Sequence, residues 1–164
     1  MENRKISEIA LKIEDGVNLI IGQAHFIKTV EDLYEALVSA SSSIKFAIAF
    51  NEASGERLIR FDGNDDALAD NAVKFAESVG AGHLFVILLK DSYPINVVNR
   101  IKEVDEVLNI YVATANPVKV LVYDDGEGGR SIVGVIDGKK PLGVEDSNQK
   151  EKRHKFLRDI GYKR

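Results

Sequence analysis

The chain has 164 residues, of which 45% are apolar and 29% charged, with a formal net charge of −4; this is the composition of an ordinary globular protein, and one domain over residues 1–164 is expected. The acidic balance argues against nucleic acid as a partner, because phosphate binding needs a concentrated basic surface. The absence of cysteine excludes disulfides, zinc–thiolate sites and thiol nucleophiles; with no apolar run near the roughly 18 residues of a membrane span and no signal-peptide core in MENRKISEIALKIED, a cytoplasmic protein without a membrane partner is expected.

Residues 5–13 read as a first strand, with Ile9, Leu11 and Ile13 on one face. Asp15-Gly16 turns the chain into a second strand, Val17 to Ile21, which is expected to carry His25 and to feed a helix starting at Thr29. Thr29 and Asp32 resemble a capping box, and Val30, Leu33, Tyr34, Leu37 and Val38 recur at the helical period. KFAIAF (45–50) is nearly continuous in apolar residues, as in a strand covered on both faces, and Ser54-Gly55 folds it back on RLIRF (57–61) as a hairpin.

Asp62-Gly63-Asn64-Asp65 supplies a turn and an N-cap for a second helix, which Gly80 closes. LFVILL (84–89) is the most apolar strand and should be central. Pro94 opens a third helix, and LNIYVA (108–113) is a further strand. VKVLVY (118–123) and RSIVGVI (130–136) flank the tip DDGEGG and pair as a hairpin. A last helix begins near Asp146, with Phe156, Leu157 and Ile160 apolar. The alternation predicts a three-layer α/β domain, a mixed sheet with helices on both faces. Unpaired edge strands from the two hairpins predict a homo-oligomer.

Several motifs fail on spacing. GVIDGKK (134–140) has three residues between its glycines and no Ser or Thr after the lysine, so it is not a nucleotide-phosphate loop. DGEGGRSIVG has Ser131 where the dinucleotide fingerprint needs its third glycine. Asp62, Asn64 and Asp66 begin like a calcium loop, but Ala67 replaces the required glycine. The three histidines are widely separated, which disfavours a zinc hydrolase.

Longer strings carry more. GQAHFIKTVEDLYEAL, IAFNEASGERLIRFDGND, VGAGHLFVILL, YPINVVNRIKEV, ATANPV and GVIDG with its following P-x-GVED resemble the small prokaryotic family called adenosine-specific kinase, in order and over nearly the whole chain. The resemblance implies binding of adenosine or AMP and a histidine able to carry a phosphoryl group. No cofactor is evident, and no recognised ATP site marks the phosphoryl donor.

A phosphoryl acceptor must be an unprotonated imidazole nitrogen, preferably with the other nitrogen held by an acceptor. His25 lies at a strand-to-helix junction, where free N–H groups and the helix dipole favour phosphate. On an extended strand Phe26 would face the core while His25 faces a cleft. His83, after Gly80-Ala81-Gly82, is the alternative, either as a second catalytic imidazole or as a bonded histidine at the mouth of a central strand. His154, among Lys150, Lys152, Arg153 and Lys155, reads as a solvated face. Adenosine recognition needs an apolar slot for the base and polar groups for the ribose. Glu52, Asp65, Asn116 and Asp137 fall at strand ends or turns within the quoted strings. Asp65 equally caps its helix, Asp137 turns its hairpin, and Asn116 breaks a strand before Pro117. Phe26 and Phe50 are candidates to stack on adenine.

Overall fold

A computed structural model describes residues 5–164. In chain order the elements are β1 (Lys5–Leu11), β2 (Asn18–Ala24), α1 (Thr29–Val38), β3 (Lys45–Asn51), β4 (Ile59–Gly63) and α2 (Asp66–Val79). There follow β5 (Leu84–Lys90), α3 (Pro94–Lys102), β6 (Val107–Thr114), β7 (Val118–Asp124), β8 (Arg130–Asp137) and α4 (Ser147–Asp159).

The most apolar run takes the central place: β5 is third in a five-stranded sheet of order β4-β3-β5-β2-β6. Side chains alternate across a strand, and both sets of β5 are buried. Leu84, Val86 and Leu88 pack with Leu68, Ala72, Ala76 and Val79 of α2. Phe85, Ile87 and Leu89 pack with Leu33 and Leu37 of α1 and Val97 and Ile101 of α3. Helices thus cover both faces, as the unbroken hydrophobicity of LFVILL and KFAIAF requires.

A second, three-stranded sheet of order β1-β7-β8 shares the α2 side, where Leu11, Val118, Val120 and Val122 enter the same core. The result is three layers: α1 and α3, the five-stranded sheet, then α2 with the smaller sheet. Both predicted hairpins are present, β3 with β4 and β7 with β8.

The expected single mixed sheet takes the form of two sheets in which every pairing is antiparallel. The reason lies in the crossovers. Each helix joins strands that run parallel but lie two places apart: β2 to β3 through α1, β4 to β5 through α2, and β5 to β6 through α3. A later or earlier strand fills each gap in the opposite direction. Likewise the turn at Asp15-Gly16 joins β1 to β2, yet these strands belong to different sheets, since β1 pairs with β7.

Three local expectations change. Thr29 does not cap α1 with a capping box; Lys28 occupies the N-cap, and the buried Thr29 hydroxyl donates to the carbonyls of Phe26 (2.6 Å) and His25 (3.1 Å). Phe26 is not a core anchor: β2 ends at Ala24, the left-handed φ of 75° at Phe26 breaks the alternation, and the residue is 59% exposed. Finally, α4 forms with a capping box between Asp146 and Gln149 but buries no residue. The Gly80 C-cap, left-handed at φ 62°, and the Pro94 start are as predicted.

Candidate active site at the histidine rim

The C-terminal ends of β2 and β3 and the N-terminal end of β5 meet at one rim because β5 runs antiparallel to both neighbours. Backbone hydrogen bonds lace the chain just beyond them. Ala24 N–H donates to the His83 carbonyl (3.0 Å), His83 N–H to that of Asn51 (2.9 Å), and His25 N–H to that of Glu106 (3.0 Å). His25 and His83, 58 positions apart in sequence, therefore line one cleft of about 500 Å³ together with Phe26, Phe50, Glu52 and Arg60. Gly22, just upstream, permits this convergence: a Cβ there would stand 2.2 Å from the buried Phe85 ring and 2.5 Å from the Asn109 carbonyl oxygen.

The two imidazoles sit differently. His25 is exposed at the mouth. His83 is half-buried and stacks on Phe50, with ring centroids 6.0 Å apart and planes 6° from parallel. His83 also has φ 60°, and Phe26 has φ 75°. A non-glycine residue in that region costs on the order of 1–3 kcal/mol, so two cleft residues are held in conformations that the surrounding hydrogen bonds must enforce.

Glu52 receives the Leu58 N–H (3.1 Å) and the Arg60 guanidinium (3.0 Å). The Leu58 N–H first, then Arg60, hold its carboxyl below the usual carboxylate range against the opposing effect of desolvation. Ionised, it is an acceptor only. Arg60 also donates to Glu56 (3.1 Å), and its Nε is buried without a partner.

Sequence reasoning missed Glu106. It is 3% exposed, pairs through Oε1 with the Lys28 ammonium (2.6 Å), and leaves Oε2 without a partner. Lys28 bonds Asp32 as well, and the two carboxylates, Asp32 first, raise its pKa well above the ordinary lysine value. Glu106 thus fastens the His25–Lys28 loop twice, by its carbonyl and by its carboxylate. The only signal in the sequence is an acid set between Val104 and Val107, where a strand is about to enter the core.

The other candidates lie elsewhere. Asp65 caps α2 by accepting the Leu68 N–H (3.0 Å). Asp137 Oδ1 accepts from the Thr114 hydroxyl (2.8 Å) and the Asn116 amide (3.0 Å), tying β6 to β8. Register places these at the opposite ends of the strands: Thr114 pairs with Leu19, and Lys45 with Lys90. Seven strand residues separate the two rims by about 20 Å. Within one chain the histidines and Glu52 are brought together; Asp65, Asn116 and Asp137 are not brought to them. His154 is exposed on α4.

The sequence profile described as adenosine specific kinase matches residues 9–163, nearly the whole chain. The chain belongs to the adenosine-specific kinase family. Its fold is close to that of PH1918 protein from Pyrococcus horikoshii OT3, known from a crystal structure, at 46% identity over 99% of each chain and a TM-score of 0.94. No curated protein shows significant similarity. GQAHF, IAFNE and GAGHL, all within the matched residues, build the histidine rim. Among the described residues no helix is long and apolar enough to cross a membrane.

Proposed function

We propose that the chain binds adenosine or AMP at the histidine rim and transfers a phosphoryl group through an imidazole. The observation that carries this reading is the meeting of His25, His83 and Glu52 on one cleft of about 500 Å³, a size suited to a nucleoside. His25, exposed at the mouth and next to the start of α1, is the acceptor, and His83 is the alternative. The imidazole nitrogen attacks the phosphorus of a phosphoryl donor, forming a P–N bond as the donor's P–O bond breaks. The adenosine 5′-hydroxyl then forms a new P–O bond as the P–N bond breaks, its proton passing to the freed nitrogen. Glu52 accepts from the ribose hydroxyls, and the exposed ring of Phe26 offers a face to the base. Asp65, Asn116 and Asp137 reach such a ligand only if they come from another copy. The same proposal includes a cytoplasmic homo-oligomer that takes no nucleic acid.

One observation favours a second reading, a nucleoside-binding protein without turnover. Both cations beside the cleft, Lys28 and Arg60, are already paired with two carboxylates each.

Calorimetric titration with adenosine, AMP, ADP and ATP tests the binding: adenosine and AMP should bind more tightly than ATP, and the reverse order would refute it. Mass spectrometry of phosphorylated protein, with His25→Ala and His83→Ala compared, tests the transfer. Loss of label in His25→Ala is expected. Loss only in His83→Ala moves the role to that residue, and a native chain that takes up no label and transfers none leaves the binding reading.

A further inference from the structure

The C-terminal arm, residues 139–164, is folded but joins neither core of its own chain. Leu157 alone is half-buried in it, and every other residue is exposed. Leu142 and Val144 are 103% and 94% exposed, and Phe156 is 57% exposed. A helix of 13 residues is marginal in water unless an apolar face is packed. The arm is also the basic part of an acidic protein. It holds nine Lys and Arg against four Asp and Glu, a net +5, whereas residues 1–138 hold thirteen against twenty-two, a net −9.

The histidine rim has the complementary features. Phe26 and Ile27 are exposed there, at 59% and 48%; the exposed Glu56 lines the same cleft, and the exposed Glu31 and Asp105 stand in the first turn of α1 and next to Glu106 in the chain. In the structure the arm lies away from the histidine rim of its own chain. It leaves β8 at Asp137, beside Thr114, and its far end touches α3, where the Asn96 amide donates to the Tyr162 hydroxyl (3.4 Å). Both points belong to the opposite rim.

We infer that the arm of one copy docks over the histidine rim of a second copy. Its apolar residues cover Phe26 and Ile27, and its lysines face the carboxylates around them. For the site the consequence is a supply of charge, a point that rests on the phosphoryl-transfer reading. Lys28 and Arg60 are each neutralised by two carboxylates, and Arg57 lines the neighbouring hollow instead. Cations from a second copy would then meet a bound phosphate, and the cleft is complete only in the assembly.

The test uses the full chain with a photo-cross-linking amino acid in place of Ile27, prepared as a mixture of ¹⁴N- and ¹⁵N-labelled protein. Mass spectrometry is expected to find cross-links from position 27 to peptides within residues 139–164, half of them of mixed isotope. Light scattering should show an oligomer, and the paired substitutions Lys150→Glu and Lys152→Glu should cut the cross-link yield at least fivefold. A monomer, cross-links confined to one isotope, cross-links landing outside the arm, or a yield indifferent to the charge reversal would each overturn the inference. None of these readouts needs a nucleotide. Failure of adenosine and AMP to bind would instead remove the functional reading and leave the docking result standing.

Discussion

At the scale of single residues, Glu52 shows how a surface acid acquires two duties. Its carboxylate closes the 52–58 loop by accepting from the Leu58 N–H and holds Arg60 in place, and the residue also lines the cleft. Because its folded pKa lies below the ordinary value, it contributes stability that is present above the unfolded pKa of about 4.3 and is lost as pH falls through the lower folded value. Asp124, lowered chiefly by the Gly126 N–H and then by Arg130, and Glu145, lowered by Arg153, act in the same direction. We therefore expect Glu52→Gln, whose amide oxygen can still accept from Leu58, to lose less stability between pH 7 and pH 3 than the native chain does. Urea midpoints measured across that range check it, and parallel curves would show that Glu52 titrates without linkage to folding.

Among the elements, α2 has ends that could be read from the chain. Asp65 accepts from Leu68 N–H at the start, and Gly80 takes the left-handed cap at the end. Both follow from residue types that satisfy orphan backbone groups. Asp65→Ala is expected to cost about 1 kcal/mol of stability while leaving AMP affinity unchanged, since Asp65 stands at the rim away from the histidines. Denaturant unfolding paired with AMP titration separates the two effects, and weakened AMP binding with stability intact would restore Asp65 to the site. Helix α1 starts at Thr29 as expected but has no capping box, because Thr29 has the spacing for one in a different setting. It is buried beneath a loop whose carbonyls need donors, and its hydroxyl serves them.

For the whole molecule, the central sheet joins two cores. β5 contributes alternate residues to each, so neither can open without exposing the other, and residues 139–164 contribute to neither. A chain ending at Gly138 should keep its near-UV circular dichroism and unfold in one transition. At concentrations dilute enough for monomers, its thermal midpoint should lie within about 4 °C of the full chain, the shift that about 1 kcal/mol produces in a domain near this size. Two separate transitions, or loss of the near-UV signal, would show that the arm is part of the fold.

The sequence alone was enough to place the buried strands, the Pro and Gly ends of helices and the two hairpins, because those depend on interactions between residues close together in the chain. It was also enough for the family, through strings long enough to be specific. Strand order was a tertiary matter: nothing local in KFAIAF or LFVILL says that each crossover skips a place for an antiparallel strand to fill. The candidate site depends on that level too. His25, Glu52 and His83 meet because three strand ends share a rim, while Asp65, Asn116 and Asp137, equally plausible as turn residues, fall at the other rim. Glu106 carries no motif, and only burial against Lys28 reveals it, because the cost of an unpaired buried charge is set by what the fold places around it.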